Sequence, residues 1–187
     1  MCTMKTIFAL WIGLLAGISM CPTDSWAVTV RTGRDILTGR EVRFPSKADR
    51  TPVLVFLSAR CPCSQSHESE LKRLHARFSG AGFEFIGVHS NQDETVTESK
   101  KHFKEAALPF PVIEDRGAKI ADEFRALKTP HVFVLKGAEV VFQGGVDDSA
   151  DGARAKKHFL EDALVALQNG KPVEVSRARA LGCAIQR

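Results

Sequence analysis

The sequence predicts a three-layer α/β domain, a mixed central sheet flanked by helices. Three observations carry that expectation. Two apolar runs, residues 52–58 and 83–89, read as strands buried on both faces. A helical pattern over residues 62–78 lies between them, and a right-handed crossover would make those strands parallel. Further on, residues 131–135 turn at Lys136-Gly137 into residues 139–143, a hairpin that extends the sheet antiparallel.

The other elements follow in order. Residues 28–31 and 41–44 are short β-prone pieces with Thr38-Gly39 as turn chemistry between them. Asn91 and Asp93 are candidate caps for a polar helix that runs to Ala107. Residues 111–113 are β-like and residues 118–126 have helical spacing. Residues 153–168 predict a final helix, closed by Gly170 with Pro172 just beyond.

A chain of 187 residues suits one domain with a real core, and 44% hydrophobic with 26% charged residues is ordinary globular usage. The 26 basic and 22 acidic side chains leave only +4, and no Lys/Arg block concentrates it. Twelve Phe, no Tyr and two N-terminal Trp make a poor nucleic-acid platform, so that partner class is excluded.

Residues 1–27 read as a secretory signal peptide: Lys5, an apolar run over 7–20, then Ser25-Trp26-Ala27 as a small-x-small cut site. As a helix that run reaches only about 21 Å, against roughly 30 Å of hydrocarbon. An uncleaved anchor is the alternative, the one way this chain would meet a membrane. A lipoprotein cut before Cys21 would put Met20 where small residues belong. The expectation is an exported protein, periplasmic in a Gram-negative source, with domain 28–187 and a C-terminal tail 171–187. Cys2 and Cys21 leave with the signal. Cys61, Cys63 and Cys183 remain, an odd number and too few for a stapled scaffold, so they point to redox work or metal binding.

Cys61 falls where the first buried strand gives way to its helix, the end of a strand where open α/β sheets place their chemistry. There, Phe56-Leu57-Ser58-Ala59-Arg60-Cys61-Pro62-Cys63-Ser64 resembles the active-site segment of the thioredoxin fold. Lys128-Thr129-Pro130-His131 is similar to that superfamily's cis-proline segment. Gly144-Gly145-Val146-Asp147-Asp148 and the later Gly182-Cys183-Ala184-Ile185 look like the ending of exported redoxins of the alkyl hydroperoxide reductase/thiol-specific antioxidant (AhpC/TSA) type. The resemblance runs from Pro52 to Ile185. It implies a thioredoxin-like sandwich, no cofactor, and Cys61 as the nucleophile toward a disulfide or peroxide. Pro130, expected cis, would sit against Cys61 and leave the Thr129 backbone free to pair with a substrate strand.

The placement has a physical basis. A helix N-terminus offers unpaired N–H groups and partial positive charge to a thiolate, Arg60 would add to it, and Pro62 suits the first helical position. Cys63 has two readings. At roughly 100° per helical residue it projects about 200° from Cys61, so a Cys61–Cys63 disulfide needs a non-helical first turn and would be strained. Otherwise it packs in a stripe with His67, Leu71, Leu74 and Phe78. Cys183 is expected on a mobile tail freed by Gly182, either as a resolving thiol that returns to Cys61 or as a free thiol on a frayed end.

Departures from the family patterns order the functions. Peroxiredoxins share Cys-Pro and a Thr or Ser three residues earlier, here Ser58, but this chain has Leu54 where they carry Pro and no Arg beside Pro130. Thioredoxins keep a buried acid where this chain has Val55, and Trp where it has Arg60. The leading expectation is thus an enzyme that exchanges disulfides with protein or small-molecule thiols, with an external reductant or oxidant closing the cycle. A thiol peroxidase comes second. A copper-binding chaperone using Cys61, Cys63 and His67 comes third, since Cys63 and His67 share a helix face and supply soft and imidazole ligands. His131 either lines the site or faces away, Asp147 and Asp148 are expected to cap a turn, and Glu68 and Glu70 to be a solvated face.

Overall fold

Alternation decides the central layers. The computed structural model describes residues 30–187, so the expected signal segment, with Cys2 and Cys21, lies outside the described residues. In chain order the elements are β1 (Arg31–Asp35), β2 (Glu41–Phe44), β3 (Thr51–Leu57), α1 (Pro62–Phe78), β4 (Phe83–His89), α2 (Val96–Ala106), β5 (Val112–Glu114), α3 (Lys119–Phe124), β6 (Lys128–Thr129), β7 (His131–Lys136), β8 (Glu139–Gly144), α4 (Phe159–Gln168) and β9 (Cys183–Ala184). Seven strands form one mixed sheet in the order β2-β1-β5-β4-β3-β7-β8, and β6 and β9 form a separate ribbon. β3 and β4 are parallel, while β7 joins β3 antiparallel and carries β8, as the hairpin pattern predicted.

β3 is buried on both faces because its successive side chains serve two cores. Val53, Val55 and Leu57 pack with Leu71, Leu74 and Phe78 of α1, Phe103 of α2 and Leu160 and Leu164 of α4. Leu54 and Phe56 point the other way, with Ile86, Val88, Phe133, Ala121 of α3 and, from the tail, Ile185. This period of two across a central strand is what makes the sandwich three-layered.

Several boundaries differ from expectation. β1 begins at Arg31. Thr95, not Asn91 or Asp93, caps α2, through a reciprocal capping box with Glu98. α4 starts at Phe159 instead of residue 153, because the Asp148 carboxylate accepts the backbone N–H groups of Lys156 and Lys157 and holds that stretch out of the helix. Asp147 accepts from the Ser149 backbone, so both aspartates shape the turn as expected.

The largest difference is the tail. It was expected to be mobile, yet it is docked. Residues 176–178 run beside Gln143 at the free edge of β8, and β9 then pairs with β6. Beyond it, Ile185 is buried and donates its N–H to Leu127, Gln186 accepts from the Gln92 backbone, and Arg187 reaches Asp122 and the Ala126 carbonyl.

Candidate active site

Cys61 is the N-cap of α1, with extended backbone (φ −81°, ψ 113°), and Pro62 takes the first helical position. That detail overturns the expected 200° separation from Cys63, which assumed both residues inside the helix. With Cys61 outside it, Cys63 need not point away. It leaves the buried stripe, where Ser64 stands with His67, Leu71, Leu74 and Phe78, and turns toward the site. The peptide bond between Thr129 and Pro130 is cis, and the Cys61 thiol lies 3.0 Å from the Thr129 carbonyl oxygen.

The backbone before Pro130 was expected to be free for a substrate strand. The protein's own tail takes that place: Thr129 pairs with Cys183, and Lys128 with Ala184, in antiparallel register. Gly182 makes the approach possible, since a Cβ there would stand 2.0 Å from the Thr129 carbonyl oxygen. The result is that the sulfurs of Cys61, Cys63 and Cys183 all lie within 4.8 Å of one another, as free thiols. Cys61 is only 1% exposed.

Burial, the largest single influence, pushes the Cys61 thiol up. Hydrogen bonds from the Cys183 thiol and the Thr129 side chain, and from the Ser64 and Cys183 backbones, outweigh it together and bring Cys61 down to about 7. The Thr129 hydroxyl is buried with no other partner, so its proton is free to turn toward a thiolate. Cys183 goes the opposite way, to about 12, through burial and then through the hydrogen bond and charge of Cys61. Burial, followed by the Cys61 charge, also raises Cys63. Of the three sulfurs, Cys61 alone is drawn toward its anion, while burial and the Cys61 charge hold the other two protonated.

Residues 30–146 match the model of the AhpC/TSA family. The chain belongs to the AhpC/TSA family. It is accordingly an oxidoreductase, built on the thioredoxin-like fold that the topology shows. Among solved structures, an uncharacterized conserved protein from Geobacillus kaustophilus is similar at 25% identity and TM-score 0.76, covering 86% of this chain and 90% of that one. A hypothetical protein from Sinorhizobium meliloti 1021 is 22% identical with TM-score 0.74, covering 86% and 92%. A secreted Mycobacterium tuberculosis disulfide oxidoreductase shares the fold at 15% identity and TM-score 0.56, covering 73% and 95%. No curated protein sequence matches significantly.

In this AhpC/TSA protein a buried acid supports the Cys61 loop from an unexpected direction. Val55 occupies the thioredoxin acid position, but Glu94, from the loop after β4, brings a carboxylate 1% exposed to the same region. It accepts from the Ser58 hydroxyl, from the Ala59 backbone at 2.8 Å and from the Arg60 backbone at 3.4 Å, and it faces His89 Nε2 at 3.0 Å. The Ser58 hydroxyl in turn accepts the Cys61 backbone N–H. Glu94 therefore fixes the turn that presents Cys61. Sequence reading missed it because Glu94 is thirty-three positions away, in a polar segment that resembles a solvated loop.

Other expected residues play different parts. Arg60 is paired with Glu98 and Asp93, so its charge is already committed. His131 accepts from the Leu127 backbone, and burial lowers it to about 4, so it is neutral and adds no positive charge. His67 is buried against Asp147 at 3.1 Å and bonded to the Cys63 carbonyl. That removes it from the expected Cys61–Cys63–His67 ligand set, and Cys183 stands in the third place. Glu68 and Glu70 are not merely solvated: they pair with His102 and Arg73.

Proposed function

We propose that this protein is an exported thiol-disulfide oxidoreductase in which Cys61 is the nucleophile and Cys183 the resolving thiol. The convergence of Cys61 and Cys183 on the cis-proline segment is the observation that carries this reading. The Cys61 thiolate attacks a substrate disulfide, forming a mixed disulfide and releasing one substrate thiolate. The Cys183 thiol then loses its proton to solvent and attacks Cys61 Sγ. A Cys61–Cys183 disulfide forms, and the second substrate thiolate leaves. The substrate has gained two electrons, and an external dithiol returns the protein to its reduced state. The reverse sequence, driven by an oxidant, donates the disulfide instead.

The order of events is built into the electrostatics. While Cys61 is an anion, its charge and its hydrogen bond help hold the proton on Cys183. Once Cys61 is in a mixed disulfide, both influences vanish and Cys183 ionises more readily. Resolution is thereby delayed until there is something to resolve. Thr129 and Pro130 position the exchange: the Thr129 backbone holds β9 now, and would hold a substrate strand when β9 leaves. Cys63 is the weaker resolving candidate, since a disulfide across one intervening residue closes a small strained ring.

Export is supported by the signal-like residues 1–27, with cleavage after Ala27, and by fold similarity to a secreted disulfide oxidoreductase. A thiol peroxidase is the second reading, favoured by family membership and by Ser58 three residues before Cys61. The deciding experiment is turnover of a dithiol-dependent disulfide substrate and of hydrogen peroxide by the wild-type, Cys61→Ser and Cys183→Ser proteins, with acid quench and mass spectrometry. Disulfide turnover lost in Cys61→Ser, with a mixed disulfide on Cys61 accumulating in Cys183→Ser, supports the first reading. Rapid peroxide turnover promotes the second, and wild-type turnover by Cys183→Ser rejects the resolving role.

A further inference from the structure

Disulfide exchange between Cys61 and Cys183 uses two sulfurs and leaves the third without a task. Cys63 is half-buried, turned into the same cluster, and within 4.8 Å of both. We propose that the reduced protein binds one Cu(I) ion between the Sγ atoms of Cys61, Cys63 and Cys183.

Geometry and donor chemistry both favour this ion. Three sulfurs in a plane at about 2.3 Å from a central metal stand about 4.0 Å apart, so the cluster needs only a small contraction to close on one. All three donors are soft, the type that selects Cu(I) over hard cations. Zn(II) in a closed site takes four protein ligands, and among the described residues no fourth joins this cluster. The nearest candidate by sequence, His67, is engaged with Asp147 and the Cys63 carbonyl.

The site is also organised before any metal arrives. Cys61 is set by the α1 N-cap and the Ser58–Glu94 link, Cys63 by the first turn of α1, and Cys183 by pairing with Thr129 and by the buried Ile185 beyond it. Binding forms three Cu–S bonds and releases the thiol protons to solvent, with no change of oxidation state at sulfur or copper. The α1 N-terminus faces the resulting negative charge. Copper and the Cys61–Cys183 disulfide exclude each other, so oxidation of that pair would eject the ion. Occupancy needs only reduced sulfurs, whether or not the protein exchanges disulfides.

The test is an anaerobic titration of the reduced full chain with Cu(I), in competition with a chromophoric Cu(I) chelator, followed by copper X-ray absorption. Cys2→Ser and Cys21→Ser are introduced throughout, so that only the three clustered sulfurs remain. One copper per chain with three sulfur scatterers at about 2.3 Å is expected. Cys63→Ser and Cys183→Ser should each weaken binding by more than about 100-fold, beyond the usual effect of losing an outer-shell partner, while circular dichroism shows them folded. Copper held by two sulfurs, binding unchanged in Cys63→Ser, failure to compete with the chelator, or tighter four-coordinate Zn(II) would each overturn it.

Discussion

Cys183 pairs with Thr129, the residue whose carbonyl oxygen lies 3.0 Å from the Cys61 sulfur. The tail therefore occupies the backbone beside Cys61 where, on the proposed reading, a substrate strand would pair, and it brings a cysteine there. While docked, it helps cover the Cys61 sulfur.

Docking depends on Ile185, whose side chain is buried with Phe44, Leu54 and Phe56. Truncating such a residue costs about 2–5 kcal/mol. Ile185→Ala should thus raise the open population of the tail by roughly 30-fold or more, at 1.4 kcal/mol per factor of ten. The rate at which a bulky maleimide labels Cys61 in the reduced protein measures this directly, and an unchanged rate would show that the tail does not gate access.

Gly182→Ala should undock the tail by a different route, since the new Cβ would meet the Thr129 carbonyl oxygen at 2.0 Å. The expected outcome is faster maleimide labelling of Cys61 and loss of amide protection at Cys183 in hydrogen exchange. Global stability should fall less than the local protection does.

The alkylation rate of Cys61 should rise with pH through a midpoint near 7. The sign follows from the thiolate being the reactive form and being held below its ordinary value by hydrogen bonds. Cys183→Ala removes the thiol that donates one of them, so the midpoint should move up toward the ordinary thiol value of about 8.5. Iodoacetamide kinetics across pH 5–9 would show the shift, and a fixed midpoint would discount Cys183 as a donor.

Glu94→Gln should destabilise the folded protein by about 1.5–3 kcal/mol, the usual worth of hydrogen bonds to a buried charged group. The Glu94 carboxyl is buried, which raises it, but His89 and Ser58 bring it below its ordinary value. A depressed folded-state value gives stability that is present above the unfolded value of about 4.3 and is lost as pH falls through the folded one. The difference between wild type and Glu94→Gln should accordingly shrink in acid, as denaturant titrations at pH 7 and pH 3 would show.

What the sequence determined by itself was local and periodic. The apolar run in β3, the α1 span from Pro62 to Phe78, the hairpin after Pro130 and the placement of Cys61 at a strand-to-helix junction all rest on near-neighbour chemistry, and the structure keeps them. Only the tertiary structure decided the relations that span the chain. Glu94 meets Ser58 because two parallel strands end side by side, and Cys183 meets Thr129 because the core buries Ile185. A helical angle sum misplaces Cys63 relative to Cys61, because one extended N-cap residue undoes it. Periodicity reports which face a residue takes within its own element, but a site assembled from three distant segments is set by packing and loop closure, which leave no repeating mark in the sequence.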